Sequence, residues 1–106
     1  MNVWKVTCFW EDENGCDRYD NRPTEIGIFS NLPLAALAAV HFAEYLINRG
    51  RRGYYVKYKR TISSIYSYED STWRGFIDML EFEDDDCYRY ASIEISKARL
   101  NQPVMQ

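Results

Sequence analysis

Residues 34–49 constrain the fold more than any other part of this chain, because they read as one helix set among segments of period two. Ser30-Asn31-Leu32-Pro33 opens it. Either Ser30 or Asn31 can cap the free amides, and proline is tolerated in a first turn, where its missing N–H has no intrahelical partner. Gly50 is placed to end the helix in a left-handed conformation. Helical spacing puts Ala36, Ala39, Val40, Ala43, Leu46 and Ile47 on one broad side, and the alanines let the axis approach a sheet closely. The other side carries Leu34, Leu37, His41, Glu44, Tyr45 and Asn48, of which only Glu44 is charged. A solvated helix face normally carries more charge, so this side is either covered by the rest of the domain or kept for a partner.

Around that helix the pattern alternates. Trp4, Val6, Cys8 and Trp10 share one strand face, and Val3, Lys5, Thr7 and Phe9 share the other. Asn14-Gly15 signals a hairpin, with a short return strand over 16–20 and a further strand over 24–29. After Gly53, Tyr54, Val56 and Tyr58 take one strand face, while Tyr55, Lys57 and Lys59 take the other. A second strand is expected over 62–68. Trp73, Phe76, Ile77 and Leu80 fall at helical spacing, which predicts a second helix over 71–82, capped by Asp70 or Ser71. A last strand over 87–95 puts Cys87, Arg89, Ala91, Ile93 and Ile95 on one face and Tyr88, Tyr90, Ser92 and Glu94 on the other. The expectation is a single small α+β domain of antiparallel sheet with helices on one face. It divides into a hairpin over 1–22, a core over 24–98 whose order suits a ferredoxin-like arrangement, and a frayed tail over 101–106.

At 106 residues the chain forms one modest core, and an apolar fraction of 46% excludes a disordered tail. No apolar run reaches the length of a membrane helix, and the N-terminal residues show no signal peptide, so a cytoplasmic protein is expected. Cys8, Cys16 and Cys87 cannot all pair within one chain, and reduced thiols are the expected state. With His41 they offer zinc donors, but no two stand at the close spacing of a structural site, so no metal and no cofactor is expected.

Charge is segregated along the chain. Residues 1–20 carry two bases and five acids, 21–68 seven bases and two acids, and 69–106 four bases and nine acids. Six of the 13 basic residues lie within 49–60, interleaved with Tyr54, Tyr55 and Tyr58. Within this stretch Arg52-Gly53-Tyr54-Tyr55-Val56-Lys57-Tyr58 resembles the RNP1 motif of RNA-recognition modules, shortened by one residue before the second aromatic. That resemblance implies an RNA or single-stranded DNA binding module using Arg49, Arg51, Arg52, Tyr55, Lys57 and Lys59. It departs from the family in following the first helix and in lacking an RNP2-like strand. Read as a strand, the stretch keeps only Tyr55 with the lysines, which makes a poor stacking platform.

Catalytic signals are few. His41 is the lone histidine and has Glu44 one turn away, a potential base and orienting carboxylate but more commonly a surface pair. No nucleophile elbow or phosphate loop occurs. The acidic run Glu11-Asp12-Glu13 fails as a calcium loop, because Trp10 stands where the first aspartate belongs. It reads instead as a solvated turn or as a negative surface aimed at a basic partner.

The leading expectation is a non-enzymatic binding protein that contacts a protein or nucleoprotein complex through Leu34, Leu37, His41, Glu44, Tyr45, Glu11, Asp12 and Glu13. In size, acidity and aromatic content the chain resembles the small inhibitor proteins of phages and mobile elements, anti-CRISPR and immunity proteins among them. That resemblance implies occlusion of a basic host surface in the host cytoplasm. Homodimerisation is another way to cover the outer helix side.

Overall fold

The computed structural model describes residues 2–13, 21–50, 57–67, 74–84 and 87–99. Its strands are β1 (Asn2–Glu13), β2 (Thr24–Phe29), β3 (Lys57–Ser67), β4 (Arg74–Asp84) and β5 (Cys87–Arg99), with one helix, α1 (Leu32–Arg49), between β2 and β3. The strands form a single five-stranded sheet in the order β2-β1-β5-β4-β3. Every neighbouring pair is antiparallel. β2 and β3 therefore occupy opposite edges and point the same way, which requires a crossover connection. α1 supplies it, crossing one sheet face in contact with β2, β1, β5 and β4.

The helix forms where its capping signals predict. Asn31 has extended backbone (φ −149°, ψ 161°), and its Oδ1 accepts the Leu34 N–H at 2.9 Å. The far end differs from expectation, because Gly50 stays right-handed (φ −58°, ψ −40°) and its N–H reaches the carbonyls of Ile47 and Leu46. Ala35, Ala39 and Ala43 are fully buried at successive turns, and this row of small side chains brings the axis close to the sheet. Ala36 and Val40 are only half-buried at the flank of the contact.

Alternation then selects the core. Val6 and Cys8 of β1, Ala91, Ile93 and Ile95 of β5, and Leu80 and Phe82 of β4 meet Leu46 and Ile47 beneath the helix. Trp4, Trp10, Ile26, Phe29 and Phe42 close the rim. On β1 and β5 the two faces are divided as the sequence predicts.

Residues 74–84 correct the sequence expectation. The second helix over 71–82 is not formed, α1 is the one helix among the described residues, and the ferredoxin-like order falls with the second helix. In its place β4 turns Asp78, Leu80 and Phe82 toward α1. The buried Asp78 breaks the apolar side of that alternation, which left helical spacing as the stronger pattern. A second correction is that 57–67 is one unbroken strand, bulged between Ser63 and Tyr66, rather than two strands with a turn. A third concerns the thiols. Cys8 is free and buried, but Cys87 is disulfide-bonded. The expected return strand over 16–20, the frayed tail over 101–106, and Arg51, Arg52, Tyr54, Tyr55 and Val56 lie outside the described residues.

Candidate functional site

The expected partner surface divides between the two sides of the sheet. Leu34, Leu37 and Tyr45 stand on the outer side of α1 at 46%, 52% and 51% exposure, with His41 exposed among them. Phe42 lies beneath Tyr45, their ring centroids 6.0 Å apart. Arg49 donates from Nη1 to the Tyr45 hydroxyl at 3.2 Å and lies 5.6 Å from the ring centroid, so it is already engaged with its own helix. Glu44 leans toward the sheet edge, and its carboxylate accepts from Arg60 Nη1 at 2.6 Å. It is therefore bound in a structural ion pair instead of orienting His41.

The acidic turn splits in the same way. Glu11 lies on the sheet face away from α1 and is exposed. Asp12, one residue on, points to the helix side with a side chain only 5% exposed. Its Oδ1 lies 3.5 Å from Arg89 Nε, and its Oδ2 accepts from Asn21 at 2.9 Å. The Arg89 guanidinium covers the Trp10 ring at 3.9 Å, and Trp10 Nε1 donates to Thr24 at 3.1 Å. Asp12 is thus part of the packing of one sheet end and is not available to a partner. The Glu13 side chain lies outside the described residues.

The face away from α1 carries no covering element among the described residues, and its rows follow from strand register. Phe9, Ser92, Met79 and Thr61 form one row across β1, β5, β4 and β3. Glu11, Tyr90, Glu81 and Lys59 form the next, and Tyr88, Glu83 and Lys57 the one beyond. On the other flank stand Thr7, Glu94 and Ile77. Ser92 is small and sits between Phe9 and Met79, so the row sags there. Phe9, Trp10, Glu11, Met79, Tyr90 and Ser92 line an open hollow of about 380 Å³.

These rows also show where the basic stretch goes. Lys57 Nζ is 3.7 Å from a Glu83 carboxylate oxygen, and Lys59 stands opposite Glu81. The acidic block of β4 therefore faces the basic block of β3 along their shared edge. Tyr58, expected in the core, is 42% exposed because β3 is an edge strand.

Sequence reading missed Met79 and Ser92 as site residues. The signal for Ser92 was present, since β5 alternation put it beside Tyr90. Met79 was hidden by reading its segment as helix. No group of three or more metal-binding side chains occurs among the described residues. Among the described residues no helix is long and apolar enough to cross a membrane. No protein-family model matches the chain, and no curated protein or solved structure does either.

Proposed function

We propose that this is a non-enzymatic binding protein that attaches to a partner protein or nucleoprotein complex and inhibits it by covering a basic surface, in the manner of anti-CRISPR proteins. The observation that carries this reading is the sheet face away from α1, which no described element covers. There Glu11, Glu81 and Glu94 make no ion pair with another described residue, and exposed Phe9 and Met79 lie between them. Carboxylates beside exposed apolar side chains steer a basic partner and then give it dry contact area. The outer helix side, with Leu34, Leu37 and Tyr45, is a second apolar surface on the opposite layer.

The same register supports this reading over an RNA or single-stranded DNA module. Phosphate binding needs lysines whose charge is available, and here Lys57 pairs with Glu83. A phage origin belongs to the proposal, and the host cytoplasm expected from the sequence does not. The disulfide at Cys87 weighs against a reducing compartment, where thiols are kept open.

The test is affinity capture from the source organism with wild type, an E11Q/E81Q/E94Q variant, Leu37→Glu and Tyr45→Ala, each checked for an unchanged circular dichroism spectrum. Loss of one captured protein with the glutamine variant supports the acidic face, and loss with the helix variants moves the contact to α1. Equal capture by all four sinks the reading. A low-salt gel shift with short oligonucleotides addresses the rival, which requires binding that weakens steeply with salt.

A further inference from the structure

We propose that the hollow above Ser92 receives an arginine side chain from an extended basic segment of the partner. This rests on the binding function proposed above and names the chemistry that its acidic face selects. Neighbouring strands stand about 4.8 Å apart, so Phe9 and Met79 rise about 10 Å from one another with only Ser92 between them. That gap is wide enough for one long aliphatic stem and too narrow for a packed helix. A hollow of about 380 Å³ agrees, being at the small end of the range for binding sites.

The rim sets what the tip of that stem must be. Glu11 and Glu81 flank Tyr90 in the row on one side, and Glu94 stands in the row on the other. Diagonal neighbours on a sheet face are about 7 Å apart, so a cation above Ser92 lies within reach of all three carboxylates. Lys59 is the one described base in these rows, and it sits beyond Glu81 at the β3 edge. Lys57 is occupied by Glu83. A negative rim around an apolar floor matches a side chain that is aliphatic along its length and cationic at its end.

Arginine fits better than lysine. Its guanidinium is planar, weakly hydrated and able to stack on an aromatic face while it binds carboxylate through two N–H groups. Phe9 is 43% exposed and Tyr90 half-buried at the lip of the hollow, so ring surface and carboxylates are offered together. The lysine ammonium is strongly hydrated and gains less from such a floor.

The experiment titrates the folded protein with hexa-arginine and, separately, hexalysine at about 0.15 M salt, where exposed charges are largely screened. The Met79 methyl and Ser92 amide are followed by NMR. Hexa-arginine is expected to move both signals and to bind about fivefold more tightly than hexalysine, the size of one exposed cation–π contact. Ser92→Leu fills the hollow from a solvent-facing position and is expected to weaken hexa-arginine by about tenfold, as loss of a central anchor does. Asn48→Ala, an exposed helix position on the opposite layer, should bind like wild type, which also serves as a folding control. Equal affinity for the two peptides, unmoved Met79 and Ser92 signals, or unchanged binding by Ser92→Leu would each overturn the proposal. If hexa-arginine fails while the E11Q/E81Q/E94Q variant still loses its captured partner, the arginine site falls and the acidic docking face stands.

Discussion

Arg60 on the edge strand β3 reaches diagonally to the fully buried Asp78 on β4, with Nη2 donating to Oδ2 at 2.6 Å and Nε lying 3.1 Å from both carboxylate oxygens. Through Nη1 the same guanidinium holds Glu44 of α1, so one side chain fastens the sheet edge, its neighbour and the helix. The hydrogen bonds to Asp78, and then to Glu44, raise the Arg60 pKa above its already high value against the opposing effect of burial. The guanidinium thus stays charged at any working pH.

Arg60→Leu is expected to cost about 3 kcal/mol, because it strands the Asp78 carboxylate without its counter-ion. The Arg60→Leu, Asp78→Leu double variant removes both charges and should recover most of that loss. Glu44→Gln should cost less than about 1 kcal/mol, since the Glu44 side chain is 53% exposed and its pairing is screened. Urea unfolding of these proteins and of the Asp78→Leu single variant checks the order, and an additive double variant would show that the pair is not coupled.

Cys8 gives the molecule an alkaline limit. Burial pushes its thiol from 9.0 up to about 12, only partly opposed by the positive charge of Arg89. Between those values the unfolded chain has shed a proton that the native state keeps. Stability from this group is therefore complete below pH 9 and falls as pH rises toward 12. The loss is on the order of 4 kcal/mol by the upper end. Cys8→Ala should lose core packing at neutral pH yet show a shallower decline from pH 9 upward. Parallel decline in both proteins would assign the alkaline limit to other groups.

Gly27 on β2 leaves room for the ring of Phe29. A Cβ added there would stand 3.0 Å from two Phe29 ring carbons. Gly27→Ala should displace that ring from the core rim and cost about 1 kcal/mol, the low end for overpacking. A gain in stability would mean that the ring swings aside freely and that the reduced chain entropy of alanine dominates.

Leu37→Glu and Tyr45→Ala should each change unfolding free energy by about 0.5 kcal/mol or less, as expected for exposed positions outside the core. Sedimentation velocity at high concentration accompanies this measurement. If a dimer appears for wild type and disappears in both variants, the outer helix side joins two copies and is not free for another partner.

What the sequence disclosed follows the strength of its local patterns. α1 was legible because its cap at Asn31 and its alanine row are local signals that tertiary packing did not override. β1 and β5 were legible because each keeps a long alternating run, Trp4 to Trp10 and Ala91 to Ile95. β4 was not, because Asp78 is a buried charge whose justification lies in Arg60, 18 residues away. No local pattern announces a remote counter-ion. The hollow above Ser92 failed for the same reason, since Phe9, Ser92 and Met79 meet only when three strands are in register. The basic stretch stood out in the sequence, yet its acidic neighbours could be found only from strand order.

The pairing of β1 with β5 runs the length of both strands, from Asn2 opposite Arg99 to Glu13 opposite Tyr88. The middle of the sheet therefore joins opposite ends of the described chain, while the edge strands come from between. During synthesis β1, β2 and α1 emerge first and have no central partner to settle on. Until β5 leaves the ribosome, the apolar side of β1 must wait or be shielded, so folding is expected to begin late and proceed slowly, as it does when distant segments must meet first.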